Sequence, residues 1–236
     1  MTFSLSDVVP WGRSFDEYVS MFGLRESDLQ SRILGCGDGP ASFNAVLTQR
    51  NGRIVSCDPI YQFSAVEIRT RVDETAATIS RELAQNTDEF VWNHFDSVEN
   101  VIETRLNAME EFLRDFSTAK QSGRYLDASL PNLPFTDGEF DLALCSHFLF
   151  LYSEQHDFDF HVDSIRELAR VATEVRIFPL LELGSAPSRH LQPVVSALDG
   201  LGFRSDVVSV PYEFQKGGNR MLVVNHQKGM RNAHGS

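Results

Sequence analysis

No stretch of this sequence approaches the ~18 consecutive apolar residues that a membrane span requires. The opening residues, MTFSLSDVVPWGRSF, lack a basic segment followed by an apolar core, so they do not read as a secretory signal. Cysteine is scarce. Cys36, Cys57 and Cys145 are the three in 236 residues, none in a C-x-x-C pair and all in or beside expected strands. They read as reduced, structural thiols of a cytoplasmic protein. Positive charge is short as well: 21 Lys and Arg stand against 33 Asp and Glu, for a net charge of −12. Proteins that grip nucleic acid carry a basic stripe, because phosphate contacts supply most of the affinity. Here the basic residues are scattered in short pairs such as Arg69 and Arg71, which points to a small molecule or a protein as partner. Metal-ligand spacing is missing too. His156 and His161 would not share a helical face, and no H-E-x-x-H pattern occurs, so no metal site is expected and this segment reads as a loop or helix start with solvated polar groups.

What is present centres on Arg32 to Asp58, RILGCGDGPASFNAVLTQRNGRIVSCD. Ile33-Leu34 begins a strand that runs into Gly35-Cys36-Gly37-Asp38-Gly39. A helix follows with Phe43, Val46 and Leu47 on one face; Asn51-Gly52 turns the chain, and a second strand ends on Asp58. Glycines after a parallel strand let the backbone turn tightly and approach a ligand. Free N–H groups at the next helix start can hold an anion. An acid at the end of the neighbouring strand can accept both hydroxyls of a ribose. Together these describe a nucleoside-binding crevice. The dinucleotide fingerprint G-x-G-x-x-G would place its third glycine at position 40, which is Pro40. That one-residue difference weakens the NAD reading and leaves it open.

With LGCGDG as a glycine-rich first motif and Val55-Ser56-Cys57-Asp58 as the strand bearing the ribose acid, the sequence resembles the class I S-adenosylmethionine-dependent methyltransferases. The resemblance covers roughly residues 30 to 226 and extends to Gly123–Tyr152, GRYLDASLPNLPFTDGEFDLALCSHFLFLY. It implies that Gly35, Cys36, Gly37, Asp38, Gly39, Asp58 and Pro59 hold S-adenosylmethionine. By the same resemblance Asp127 takes the adenine amino group, the Ala128 backbone reads the neighbouring ring nitrogen, and Ser146 and His147 lie under the cofactor. The loop after Asp127-Ala128 has two extra residues, so its detail is expected to differ. In similar methyltransferases a segment before the first strand closes over the cofactor, making Trp11, Arg13 and Tyr18 candidate lid contacts, Tyr18 and Trp11 through cation–π attraction.

The implied reaction is direct in-line methyl transfer, with S-adenosylhomocysteine as product. A methyl group on a sulfonium is already activated, so at most one base is needed. His147, after the fourth strand, is the first candidate and Tyr152 the second; packing against the core or cofactor is the alternative role for His147. No Asn-Pro-Pro-Tyr-type motif after the fourth strand and no nucleophilic cysteine arrangement is present, which argues against the best-known amino-group and base-carbon nucleic-acid methylases. A methyltransferase-like binding domain without catalysis and an NAD-dependent oxidoreductase are the other classes open.

The rest of the chain completes an α/β reading. Residues 1–31 form a helical lid, with Ser14 and Glu17 as a capping box and Phe15, Tyr18, Val19 and Phe22 on one face. A helix spans Gln62 to Ile79, and a helical insertion occupies about 80–120. Further strands follow at Tyr125-Leu126, Phe140–Cys145, Val175–Leu181, Ser205–Val210 and Met221–Val224, with a helix at Pro187–Leu201 and a polar tail at 227–236. The expected fold is a doubly wound, seven-stranded, mostly parallel sheet with an antiparallel last strand and helices on both faces, in one methyltransferase domain from 32 to 226.

Overall fold

The structure, a computed structural model, describes residues 11–227. Residues 1–10 of the expected lid and 228–236 of the expected tail lie outside the described residues. The strands are β1 (Arg32–Cys36), β2 (Arg53–Cys57), β3 (Tyr125–Leu126), β4 (Phe140–Ser146), β5 (Ala172–Phe178), β6 (Phe203–Ser209) and β7 (Arg220–His226). They form one sheet in the order β3-β2-β1-β4-β5-β7-β6. Strands β1 to β5 run parallel, and β7 lies antiparallel to both β5 and β6. This order, with its reversed last strand, is that of the Rossmann-like methyltransferase fold.

Strands buried on both faces read as apolar runs, and successive side chains supply two separate cores. Leu34, Ala143 and Cys145 face α6 (Phe158–Val171) and α7 (Leu191–Gly200). Ile33, Leu142 and Leu144 face the opposite side, with α1 (Phe15–Met21) and α3 (Phe43–Gln49); α2 (Glu26–Leu29) is a single turn between α1 and β1. The three cysteines sit side by side, because Cys36 of β1 is in register with Cys57 of β2 and Cys145 of β4. All three are free and buried. Among the described residues no helix is long and apolar enough to cross a membrane.

Local chemistry sets the helix starts. The Ser14–Glu17 capping box forms in both directions, at 3.2 and 2.9 Å, and opens α1, whose Phe15 and Tyr18 stack on Phe43 of α3. A second box, Ser64 with Glu67, opens α4 (Ala65–Gln85). Ser97 caps α5 (Val98–Gln121), and α4 packs on α5 between β2 and β3.

Four elements depart from the sequence reading. The first helix after Asp58 starts at Ala65, because Pro59–Gln62 forms a 3-10 turn. The 80–120 region is not one continuous helical insertion. It breaks between α4 and α5, where Phe90 bridges Gln215 and Val91 N–H donates to Phe214 O at 2.7 Å. That pairing joins segments far apart in the chain, which periodicity cannot reveal. The expected helix from Pro187 starts only at Leu191, because Leu181 and Pro187 form a bridge and Ser188 N–H donates to Leu180 O. Strand β5 ends at Phe178, since Pro179 has no N–H for the ladder.

One buried polar cluster ties α1, α5 and the β6–β7 loop together. Arg105 of α5 donates to Glu17 of α1 at 3.1 Å, and Tyr212 O–H donates to the same carboxylate oxygen at 2.8 Å. Arg105 and Glu17 are 3% and 6% exposed, so neither charge has bulk water to fall back on. Burial alone would raise the Glu17 carboxyl, but Arg105 and Arg13 outweigh it and hold it below its ordinary value. Removing one partner of such a pair leaves the other uncompensated, which costs about 3–5 kcal/mol. Glu17→Gln should therefore destabilise the protein by about 3 kcal/mol, and adding Arg105→Met should restore part of the loss. Urea unfolding of the three proteins measures both, and an unchanged midpoint for Glu17→Gln would sink this account.

Candidate functional site

The carboxyl ends of β1, β2 and β4 open into a cavity of about 610 Å³, a size typical of ligand pockets. It sits where the strand order reverses at β1, the position where open α/β sheets bind ligands. Its floor is the turn after β1. Gly37 has φ +69 and Gly39 φ +53, both in the left-handed region that favours glycine. A Cβ on Gly37 would come within 2.9 Å of Phe148 Cβ, whereas one on Gly39 would meet nothing within 4 Å and would fill open space in the cavity.

Asp38 turns back beneath this loop. An ideal Cβ on Gly35 would lie 1.8 Å from Asp38 Oδ2, so only glycine admits the carboxylate there. Tyr18 O–H donates to Asp38 Oδ1 at 2.8 Å and Ser56 O–H to Oδ2 at 2.7 Å. Asn44 in turn donates to Ser56 Oγ, which fixes the direction of the serine hydrogen. Burial dominates and pushes the Asp38 carboxyl up to about 7, despite both hydroxyl donors. Asp58 accepts Gly39 N–H on one oxygen and Ile60 N–H on the other, each at 2.9 Å. Burial raises this carboxyl too, against those two bonds.

The segment before α1 covers the cavity. A Cβ on Gly12 would stand 2.1 Å from Pro40 O, and Ser42 N–H donates to Arg13 O at 3.0 Å. This close approach lays Trp11 and Arg13 against the space, with Arg13 Nη1 donating to Trp11 O. Arg13 Nε and Trp11 Nε1 are buried without a hydrogen-bond partner. Burial, with the charge of Arg105, lowers the Arg13 guanidinium to about 10.

His147 stands at the end of β4 with φ 49. Its Nδ1 is 3.0 Å from Ser146 Oγ. Where Nδ1 carries the proton and donates to Ser146, Nε2 keeps the lone pair. Burial, then the positive charges of Arg13 and Arg105, hold the His147 imidazole well below its ordinary value. It is neutral at pH 7.

A second, smaller cavity of about 120 Å³ adjoins the first through Trp11, Arg13, His147 and Tyr152, which line both. Arg105, Phe90, Tyr212 and Phe214 form its far side. Among the described residues no group of three or more His, Cys, Asp and Glu is arranged to hold a metal.

Comparison with known proteins places the chain among relatives. Over 222 residues it is 33% identical to the uncharacterized protein MJ0045 of Methanocaldococcus jannaschii, covering 94% of this chain and 97% of that one. The chain belongs to the MJ0045 family. No protein-family model matches it. Among solved structures, magnesium protoporphyrin IX methyltransferase (ChlM) from Synechocystis PCC 6803, with bound SAM, is 15% identical. It covers 90% of this chain and 78% of that chain, with a TM-score of 0.45. A SAM-dependent methyltransferase from Aquifex aeolicus is also 15% identical over 89% of this chain and 87% of that chain, with a TM-score of 0.42.

Of the residues singled out from the sequence of this family member, Trp11, Arg13, Cys36, Gly37, Asp38, Gly39, Asp58, Pro59, Ala128, Ser146, His147 and Tyr152 line the larger cavity. Three do not. Gly35 lies within β1 beneath Asp38; Tyr18 is fully buried behind Asp38; Asp127 is exposed at the end of β3, outside the lining. His161, expected among solvated groups, is instead buried, with its Nε2 3.0 Å from Leu149 O. Sequence reasoning missed Arg105 and Tyr212. The signal for Arg105 was available: it interrupts the apolar face of α5 four residues after Val101 and four before Met109. Tyr212 lies in a loop and carries no such periodic mark.

The raised Asp38 carboxyl makes stability depend on pH. In the unfolded chain it ionises near 3.8, in the folded one near 7. Stability therefore falls as pH rises through this window and levels off above it. Asp38→Asn removes that slope. Between pH 5 and pH 8 the stability difference should move in favour of the variant, on the order of 2 kcal/mol. Denaturant titrations at the two pH values test this, and a pH-independent difference would refute it.

Proposed function

We propose that this protein is an S-adenosylmethionine-dependent methyltransferase acting on a small molecule. The observation that carries the reading is the larger cavity, with an open left-handed glycine turn on one side and the Asp58 carboxylate on the other. The residues fit a nucleoside. A carboxylate offers about four lone-pair sites, and Asp58 uses one on each oxygen for Gly39 and Ile60, leaving acceptors for two ribose hydroxyls. Asp127, at the rim, would take the adenine amino group and the Ala128 backbone the ring. Trp11 and Arg13, drawn down by Gly12 against Pro40, would cover the methionyl end and exclude water.

When bound, S-adenosylmethionine supplies a methyl group on a positively charged sulfur, which departs as a neutral thioether once an acceptor lone pair has taken the methyl. The protein's own part is positioning and one proton. His147 Nε2, kept unprotonated at neutral pH and with Nδ1 held by Ser146, receives the proton released by an oxygen or nitrogen acceptor. Tyr152, on the border of both cavities, helps to shape the acceptor's approach. A second cavity of only about 120 Å³ beside the first suits a small acceptor. We further read residues 11–31 as a lid and the α4–α5 region as the acceptor wall, since Ile79, Leu83, Phe90 and Arg105 line the second cavity.

Calorimetric titration should give micromolar binding of S-adenosylmethionine and S-adenosylhomocysteine, weakened at least tenfold, or ~1.4 kcal/mol, in Asp58→Ala. No binding by ligand-free protein would overturn the proposal. His147→Gln should keep S-adenosylhomocysteine affinity within about twofold while lowering turnover of an accepted substrate by ~100-fold or more. Unchanged turnover would assign His147 to packing, and cofactor binding without turnover on any acceptor would favour a binding domain.

A further inference from the structure

The two adjoining cavities differ sharply in charge. Three carboxylates, Asp38, Asp58 and Glu67, line the larger one together with Arg13 and Arg71, whereas no acidic residue lines the smaller one. The smaller cavity instead has Arg13 and Arg105 on its wall, in a chain whose net charge is −12. Neither arginine is fully matched. Glu17 pairs with Arg105 through Nη2, but Arg105 Nε is buried without a partner although the residue is only 3% exposed. Arg13 forms no ion pair among the described residues, its guanidinium donates to the Trp11 carbonyl, and its Nε is also without a partner. One carboxylate thus serves the buried Arg105 and the half-buried Arg13, and burying an unpaired charge is costly unless a ligand supplies the counter-ion.

The remaining wall is aromatic. Phe90, Phe178, Tyr212 and Phe214 line the space with Trp11 at its mouth. Phe90 and Phe214 are stacked with ring centroids 4.7 Å apart, and Arg105 lies 5.1 Å over the Phe214 ring, which holds these side chains in place. The volume of about 120 Å³ is of the order of the ~150 Å³ apolar cavity that takes up one benzene ring.

We infer that the smaller cavity is the acceptor subsite and that it takes a small aromatic carboxylate, whose anionic group meets Arg13 and Arg105 and whose ring lies among Phe90, Phe178 and Phe214. The inference rests on the methyltransferase reading. Arg105 borders only the smaller cavity, while His147 borders both. An aromatic acid held in the smaller cavity thus lies beside His147 and the opening to the larger cavity, where its hydroxyl or amino substituent would stand as the acceptor atom. Planar bidentate pairing with a carboxylate suits guanidinium groups in particular.

The test is calorimetric, on protein saturated with S-adenosylhomocysteine. The probes are benzoate, 4-hydroxybenzoate and indole-3-carboxylate, each against its neutral amide. At least one carboxylate should bind ten times or more tightly than its amide. Arg13→Gln should erase that preference, as should Arg105→Met if it folds. Leu183→Trp fills the cavity from its rim without touching the buried ion pair; it should abolish probe binding and leave S-adenosylhomocysteine affinity unchanged. Equal binding of acids and amides, or no binding of any probe to a protein that does bind S-adenosylhomocysteine, overturns the aromatic-acid subsite while the methyltransferase reading stands. Failure to bind S-adenosylhomocysteine overturns both.

Discussion

The buried carboxylate of Asp38 is the constraint around which the site is arranged. It fits only because Gly35 has no side chain, and it holds the glycine turn, β2 and α1 in one place through Ser56 and Tyr18. At the edge of the larger cavity Ser146 Oγ lies 3.0 Å from His147 Nδ1. A charge as deep as that of Asp38 is costly, and its raised carboxyl shows it. Such strain is commonly concentrated where a fold must hold polar groups ready for a ligand.

The second organising feature is how buried charge is divided. All the carboxylates lining either cavity belong to the larger one, while the smaller is lined by Arg13 and Arg105, with Glu17 joining Arg105 and Tyr212. In a low-dielectric interior this separation is felt strongly. It also explains why His147, between the two, is held neutral: burial and two nearby arginines all disfavour its cation. An overall acidic chain therefore contains a locally basic, aromatic recess, which composition alone could not disclose.

Much of the fold was legible because it rests on local signals. The Ser14–Glu17 box, the glycine turn, Asp58 at a strand end and the apolar run of β4 each follow from spacing and residue type. The misreadings share one cause. Phe90 pairs with Gln215, Leu181 with Pro187, and His161 is covered by the segment at Leu149. Each depends on pairing with another segment, six to more than a hundred residues away, to which helical periodicity is blind.

The sequence by itself determined the order of elements and the glycine turn and acid at the strand ends, because backbone turns and apolar periodicity are local properties; the seven-stranded sheet was implied by the resemblance to the methyltransferases. Only the tertiary structure decided which of those side chains share a space. It buried Tyr18 behind Asp38 rather than in the cavity, left Asp127 at the rim, and brought Arg13, Arg105 and Tyr212 together from an N-terminal loop, the middle of α5 and the β6–β7 loop. Charge and burial act through distance in space, and distance in space is set by packing.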